Sequence, residues 1–216
     1  MATFVLIHGA GHTGWHWHPV AAELRARGHL AVAPDLPSDD DEAGLPEYAD
    51  AVVDAVGDAT ELVVVGHSFG GFTAPLVCDR LPVRQLVLVA PMIPAPGESP
   101  AAYWANTGHD QEVRPRYDDQ VALFYHDAPA GLAAEAVRRG RPQSVARLAQ
   151  PSPLKAWPDV PTRILACRQD PLFPTVFVRR VALERLGIVP DEMDSGHTPA
   201  LSRPTELTER LLAYLD

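Results

Sequence analysis

A serine between two glycines is the residue of this chain best suited to covalent chemistry. Ser68 stands in a G-x-S-x-G motif, with Gly66 two residues before it and Gly70 two residues after it. The apolar, β-branched run 61–65 predicts a buried parallel strand before the motif, and 69–81 predicts a helix after it. A serine at such a turn is strained and exposes its hydroxyl, and the glycines let the chain turn sharply. The alternative is a glycine-rich turn that holds a serine by chance, but the flanking strand and helix favour a nucleophile.

A serine nucleophile needs a base to take its proton and an acid to orient that base. Asp170 follows the strand-like run 161–167, and His197 follows the weaker strand-like run 188–193. Taken singly, this aspartate could begin a turn before a proline, and this histidine could lie on the surface near a helix start. Because both follow predicted strands in the order nucleophile, acid, histidine, we expect Ser68, Asp170 and His197 to form a catalytic triad.

A glycine-rich segment after the first predicted strand could supply hydrogen-bond donors to a negatively charged intermediate. Residues 8–15 read HGAGHTGW, which leaves backbone N–H groups free to point at a ligand. The N–H of Ala10 and the N–H of Phe69, which follows the nucleophile, are the expected oxyanion-hole pair. Loss of one such donor typically costs about 3–4 kcal/mol in the transition state.

Strands and helices alternate along the chain. Strands are predicted at 3–8, 30–34, 61–66, 84–90, 161–167 and 188–193, and helices at 15–27, 46–57, 69–81, 174–186 and 203–215. Alternation of this kind predicts an α/β fold with a six-stranded, mostly parallel sheet and helices on both faces. A length of 216 residues fits a single domain over 1–216.

The segment 93–157 departs from this alternation and is predicted to be a small helical cap inserted after the fourth core strand. Prolines open the segment, and short helices are predicted within 118–125 and 130–139. An insertion at this place lies over the carboxyl ends of the strands, where ligands bind in open α/β sheets.

Four aromatic residues of the cap are candidates for the walls of a substrate pocket: Tyr103, Trp104, Phe124 and Tyr125. Ligand pockets are mostly apolar, which favours this assignment. Aromatic residues of a cap equally often form the cap's own core, so both interpretations stay open.

Three histidines near the amino terminus, His12, His16 and His18, resemble a metal cluster. A zinc site needs three or four converging ligands, whereas His16 and His18 point to different sides if Trp15 begins a helix. We therefore expect no metal and no other cofactor. His12 is expected instead to line the pocket beside Ser68.

The motifs together resemble the α/β-hydrolase superfamily. Residues 8–15 are similar to the start of a compact group that contains plant methyl-ester esterases, hydroxynitrile lyases and bacterial relatives. The resemblance covers about 3–92 and 158 to the end and is vaguer between. It implies catalytic roles for Ser68, Asp170 and His197 and oxyanion donors at Ala10 and Phe69.

Two positions distinguish the branches of this group. His67 precedes the nucleophile, as in the esterases, where the lyases carry glutamate. Thr198 follows the predicted base, where those lyases carry a lysine that stabilises the departing cyanide. His8-Gly9 also lacks the lyases' threonine. These departures favour a serine hydrolase that cleaves a small to medium, apolar carboxylic ester through an acyl-enzyme. A lyase or cofactor-free tailoring enzyme, and a non-catalytic binding protein, are the alternatives.

The amino-acid composition limits the classes of molecule that this protein is expected to bind. The 18 Lys and Arg against 28 Asp and Glu give a formal charge of −10, which argues against nucleic acid and anionic membrane surfaces. Cys78 and Cys167 form no disulfide framework. Because the first predicted strand begins at residue 3 and no apolar run reaches about eighteen residues, we expect no signal peptide and no membrane helix. We expect a cytoplasmic monomer or homodimer that binds a small-molecule ester.

Overall fold

The computed structural model describes residues 1–113 and 118–215. The strands of this part are β1 (Thr3–Ile7), β2 (Leu30–Val32), β3 (Leu62–His67), β4 (Val83–Val89), β5 (Thr162–Cys167) and β6 (Asp191–Met193). They form one sheet in the order β2-β1-β3-β4-β5-β6, and each neighbouring pair is parallel. The predicted fold class is confirmed.

The helices lie between the strands, as the alternation predicts. They are α1 (His18–Ala26), α2 (Leu45–Val56), α3 (Gly70–Cys78), α4 (Pro100–Asn106), α5 (His109–Glu112), α6 (Gln120–Phe124), α7 (Ala130–Arg139), α8 (Thr175–Leu186), α9 (Pro199–Ser202) and α10 (Pro204–Ala213), with a 3₁₀ turn at Gly14–Trp17. Among the described residues, no helix combines the length and the apolar character needed to cross a membrane.

Alternate residues of β1 face opposite sides of the sheet, which places a core on each side. Phe4 and Leu6 belong to the core shared with α1 and α10. Val5 and Ile7 belong to the core shared with α2, α3 and α8. All four side chains are fully buried, as expected for a parallel strand covered on both faces.

Element boundaries differ from the sequence predictions in two informative places. The predicted helix 15–27 divides into the 3₁₀ turn and α1, and Pro19 lies in the first turn of α1, where its missing N–H costs no hydrogen bond. The predicted strand 188–193 shortens to β6, which begins after Pro190, a residue that cannot donate to a strand ladder.

The segment between β4 and β5 holds α4, α5, α6 and α7. The helices predicted within 118–125 and 130–139 correspond to α6 and α7. No helix is predicted at the places of α4 and α5. Pro100 lies in the first turn of α4, and the Ser99 hydroxyl accepts the N–H of Ala102 at 3.2 Å. The proline therefore starts a helix at a place where the sequence pattern predicts none. Residues 114–117 of the predicted cap lie outside the described residues.

A buried ion pair fastens the start of this segment to α8. Arg185 donates to Glu98 Oε2 at 2.5 Å and Oε1 at 2.9 Å, and also to the Ile93 carbonyl at 2.5 Å. Asn106 donates to the same carboxylate at 2.9 Å. Burial opposes ionisation of Glu98, but the bonds from Arg185 and Asn106 prevail and hold its pKa below the usual value.

Candidate active site

Ser68 lies at the turn between β3 and α3 in a conformation that few residues with a side chain adopt. Its φ is 53°, which is in the left-handed region. Its N–H donates to the Val89 carbonyl at the end of β4 at 3.1 Å, and its own carbonyl accepts the Met92 N–H at 3.0 Å. These bonds to the neighbouring strand hold a conformation that costs on the order of 1–3 kcal/mol.

Two successive glycines let α3 begin immediately after Ser68. A Cβ on Gly70 would lie 2.9 Å from the Ile7 carbonyl oxygen, and one on Gly71 would lie 1.9 Å from the Met92 carbonyl oxygen. Both contacts are with backbone, which cannot move aside cheaply. The sequence motif identifies Gly70 but does not extend to Gly71, whose constraint is the more severe.

His197 bridges Ser68 and Asp170, the three residues predicted as a triad. Its Nε2 lies 3.0 Å from the Ser68 Oγ, and its Nδ1 lies 2.8 Å from the Asp170 Oδ2. The second carboxylate oxygen accepts the N–H groups of Leu172 at 2.8 Å and Phe173 at 3.0 Å. A carboxylate held in this way keeps the imidazole proton on Nδ1 and leaves Nε2 able to accept the serine proton.

The two predicted oxyanion donors border the same cavity as Ser68. Ala10 lies in the loop after β1, and Phe69 is the first residue after the serine. Among the described residues, neither N–H has a hydrogen-bond acceptor. His8 fixes the loop that carries Ala10, because its Nδ1 donates to the Gly9 carbonyl at 2.9 Å and its Nε2 accepts the Leu36 N–H at 3.0 Å. Burial lowers the pKa of His8, which keeps this ring neutral.

His67 supports the loop that carries His197. Its Nε2 donates to the His197 carbonyl oxygen at 2.7 Å. Burial, followed by the nearby His197 ring, lowers the pKa of His67 well below its ordinary value. A neutral imidazole at this position therefore serves as a donor and adds no charge beside the proposed base.

Two of the three histidines near the amino terminus, His12 and His16, stack with His67, whereas His18 stacks on Trp15. The rings of His12 and His16 lie 4.1 Å apart and within 9° of parallel, and those of His12 and His67 lie 5.5 Å apart and within 5°. Stacked rings point their nitrogens sideways, so the ligands do not converge. Within residues 1–113 and 118–215, no group of three metal-ligating side chains could hold a metal ion.

Of the predicted pocket residues, Trp104 and Phe124 border a cavity of about 190 Å³ beside Ser68. The other lining residues are Ala10, Phe69, Met92, Pro100, Gln143, Leu148, Leu172 and Phe173. Nearly all of these side chains are apolar, which suits an apolar ligand. His12 and Tyr125 border a separate recess of about 30 Å³, and the Tyr125 hydroxyl lies 3.2 Å from His16 Nε2.

A second, open groove of about 490 Å³ adjoins this cavity. The two spaces share Ala10, Phe124 and Gln143 as walls, and the groove adds Gln120 and Arg141. A molecule bound at Ser68 can therefore place one part against the apolar walls of the cavity and another part against the polar side chains of the groove.

A comparison with the sequence profiles of known protein families identifies the family of this chain. The sequence profile of the alpha/beta hydrolase family matches residues 4–210. The chain belongs to this alpha/beta hydrolase family. The matched range includes all of β2 to β6, all of β1 but its first residue, and the Ser68, Asp170 and His197 positions. The resemblance inferred from the sequence is confirmed.

Relatives of this alpha/beta hydrolase include plant esterases. The chain is 43% identical over 107 residues to the probable esterase PIR7A of Oryza sativa subsp. indica, a match covering 44% of this chain and 41% of the rice protein. It therefore spans less than half the length of that relative. Over 250 residues it is 28% identical to Methylesterase 7 of Arabidopsis thaliana, covering 99% of this chain and 96% of that protein. The crystal structure of polyneuridine aldehyde esterase shares the fold, with a TM-score of 0.84 and 20% identity over 100% of both chains.

His109 is a residue of the hydrolase site that the sequence did not reveal. It is fully buried, and its Nε2 donates to the Leu172 carbonyl at 2.7 Å. Its ring lies 4.8 Å from the Trp104 ring and 5.6 Å from the Phe173 ring. His109 thus supports two cavity walls and the loop after Asp170. No local pattern around a single histidine in a short helix signals such a role.

Proposed function

We propose that this hydrolase cleaves carboxylic esters through an acyl-enzyme, with Ser68 as nucleophile, His197 as base and Asp170 as its orienting acid. The observation that carries the proposal is the hydrogen-bonded chain from Ser68 Oγ through His197 to Asp170, at the edge of an apolar cavity. The names of the rice and Arabidopsis relatives, an esterase and a methylesterase, support the same reaction.

In the first half of the proposed reaction, His197 Nε2 takes the proton of Ser68 as the serine oxygen attacks the ester carbonyl. The N–H groups of Ala10 and Phe69 bind the resulting oxyanion. His197 then returns the proton to the departing alcohol, and the acyl group remains on Ser68. In the second half, His197 takes a proton from a water molecule, whose oxygen attacks the acyl carbonyl carbon. The bond from that carbon to Ser68 Oγ then breaks, His197 returns the proton to Ser68, and the acid leaves.

The two adjoining spaces suggest which part of the ester each one binds. The acyl part must stay while the alcohol leaves, so we assign the acyl part to the apolar cavity and the alcohol part to the more open groove. An apolar cavity of about 150 Å³ holds benzene, and the cavity here measures about 190 Å³. An acyl group near the size of one six-membered ring therefore fits, and a long fatty-acyl chain does not.

The lyase alternative is not favoured. Thr198 stands after the proposed base and is buried, and a threonine cannot supply the positive charge that a cyanide leaving group needs. Among the described residues that line the cavity, none is lysine or arginine.

The segment 93–157 serves as the cap in this proposal, since Trp104 and Phe124 reach the cavity from it. We also propose a cytoplasmic location, because Cys78 and Cys167 are both free thiols and such thiols are kept reduced there. The assembly is proposed to be a monomer or homodimer.

The test combines an ester assay with a covalent probe. Wild-type protein should hydrolyse p-nitrophenyl butyrate, and a serine-directed phosphonate should add one adduct, located on Ser68 by peptide mass spectrometry. Ser68→Ala should lower kcat by at least about 10⁴-fold. The matched control is Ser144→Ala, because Ser144 is a serine on the surface whose hydroxyl bonds Asp41. Adduct formation elsewhere, or hydrolysis that survives in Ser68→Ala, would refute the proposal.

A further inference from the structure

The four consecutive residues 124–127, here called the strap, begin at the last residue of α6. Each of them contacts a different part of the active site. The Phe124 ring lies 5.4 Å from the His197 ring, and the Tyr125 ring lies 5.8 Å from the His12 ring. His126 and Asp127 continue this line to the loops of the triad. One short segment of the cap thus reaches the base, the loop after β1 and both loops after β5 and β6.

The last two strap residues bind the backbone beside the acid and the base. His126 Nε2 donates to the Gln169 carbonyl at 3.0 Å, one residue before Asp170. Asp127 Oδ2 accepts the Gly196 N–H at 2.7 Å, one residue before His197. Hydrogen bonds to a carboxylate are roughly twice as strong as those between neutral groups.

A side chain at position 196 would displace the side chains of Asp127 and His126 from their present places. A Cβ on Gly196 would lie 2.5 Å from Asp127 Oδ1 and 2.7 Å from His126 Nε2. Asp127 Oδ1 is itself buried and has no hydrogen-bond partner among the described residues. A buried carboxylate oxygen without a partner costs folding free energy, so stability alone gives no reason for a carboxylate here.

The backbone of residues 195–197, here called the His197 loop, is held at three points by hydrogen bonds to other segments. Gln169 N–H donates to the Ser195 carbonyl at 3.0 Å, and His67 donates to the His197 carbonyl at 2.7 Å. The third point is the bond from Gly196 to Asp127. The first two come from the sheet layer, and the third comes from the cap.

We propose that Asp127 is a positioning residue, which holds His197 within hydrogen-bond distance of Ser68 and Asp170 and thereby couples the cap to the triad. This inference rests on the ester hydrolysis proposed above. Displacement of a catalytic group by about 1 Å can cost about 100-fold in rate. Release of one of the three points of the His197 loop permits a displacement of that kind.

The first test compares two substitutions of Asp127 with a control at the other end of α6. Asp127→Ala should lower kcat for p-nitrophenyl butyrate by about 10- to 100-fold, with KM within about twofold. Asp127→Asn keeps an acceptor for Gly196 and should retain at least about a third of the wild-type kcat. The control is Asp119→Ala, because Asp119 Oδ1 accepts the Ala122 N–H at 2.9 Å at the start of α6. It should lower Tm as Asp127→Ala does and leave kcat unchanged.

A double substitution provides a second, independent readout. Gly196→Ala should lower kcat through the collision with Asp127, and the loss should be smaller when Asp127→Ala is already present. Additive losses, an unchanged kcat in Asp127→Ala, or equal losses in Asp127→Ala and Asp119→Ala would each overturn the inference.

A spectroscopic readout separates this inference from the proposed reaction. The proton between His197 Nδ1 and Asp170 should give a downfield ¹H NMR resonance, assigned by its loss in His197→Ala. Asp127→Ala should weaken or shift that resonance, and Asp119→Ala should not. A wild-type protein that neither hydrolyses esters nor reacts with the phosphonate refutes the proposed reaction. A resonance unchanged in Asp127→Ala refutes the positioning role, whatever the activity.

Discussion

The turn that carries Ser68 and the cap above it are held by different kinds of contact. At the turn, the contacts are between backbone groups. The backbone of Ser68 makes hydrogen bonds with the backbone of Val89 and Met92, and Gly71 lies close to the Met92 carbonyl. In the cap, side chains also make connections, as in Arg185 with Glu98 and Asp127 with Gly196.

This difference indicates which part of the protein tolerates amino-acid substitutions without loss of the fold. A backbone contact depends on the fold and is lost only when a side chain intrudes or the sheet distorts. A contact made by a side chain can be removed by one substitution while the sheet stays intact. We therefore expect substitutions at the turn to affect folding, and substitutions in the cap to affect anchoring, selectivity and the placement of His197.

The largest effect is expected from a methyl group at the turn. Gly71→Ala would place a Cβ 1.9 Å from the Met92 carbonyl oxygen, and we expect the free energy of unfolding to fall by at least about 4 kcal/mol. The matched control in the cap is Gly131→Ala in α7, where a Cβ meets no atom of the described chain within 4 Å. It should stabilise the protein by about 0.5–1 kcal/mol. Urea unfolding measures both, and similar effects in the two variants would contradict the comparison.

The anchor of the cap should be the next most sensitive. Arg185→Met leaves the Glu98 carboxylate buried without its cation and should cost about 3–5 kcal/mol. Arg80→Met is the control, because its ion pair with Asp50 leaves the two side chains 40% and 57% exposed and should contribute at most about 1 kcal/mol.

At acid pH, the difference in the free energy of unfolding between wild type and Arg185→Met should become smaller. The pKa of Glu98 is lowered in the folded protein from 4.5, so its stabilisation is present above pH 4.5 and is lost as the pH falls through the folded pKa. Urea titrations at pH 7 and below 4.5 check this. A gap that is independent of pH would show that packing, not the ion pair, sets the cost.

The buried histidines beneath the site should make stability fall in acid. Burial lowers the pKa of His16 to about 4, from 6.5. The unfolded state therefore binds more protons between these pH values, and the free energy of unfolding falls as pH drops from about 6.5 to 4. For His16 the loss amounts to about 3 kcal/mol. His16→Gln should flatten this dependence, measured by urea unfolding at several pH values, and an unchanged slope would contradict the assignment.

The smallest effect is expected from the cap wall, and it should appear as selectivity. Trp104→Ala enlarges the cavity and should shift kcat/KM toward larger acyl groups by about tenfold relative to acetate. Leu132→Ala is the control, since Leu132 packs within the cap and lies outside the residues that line the cavity. A large drop in Tm with an unchanged acyl preference would show that Trp104 belongs only to the core of the cap.

Much of the fold could be predicted because local pattern and global architecture agree. Short apolar runs predict every strand to within a few residues, and the positions just after β3, β5 and β6 are where Ser68, Asp170 and His197 meet. Prediction was less successful in the cap, where the sequence pattern predicts neither α4 nor α5. Of the five predicted pocket residues, Trp104 and Phe124 border the main cavity, and His12 and Tyr125 border the neighbouring recess. Tyr103 borders neither space and is buried in the core.

The sequence by itself determined the order of strands and the residues at their ends, because the hydrophobic period and the glycine positions are local properties of the chain. Only the tertiary structure decided that Asp127 meets Gly196, that His109 supports Trp104, and that three histidines stack. Each of these contacts joins segments brought together by packing, and their geometry depends on the shape of everything between them. No periodicity in the sequence encodes that shape.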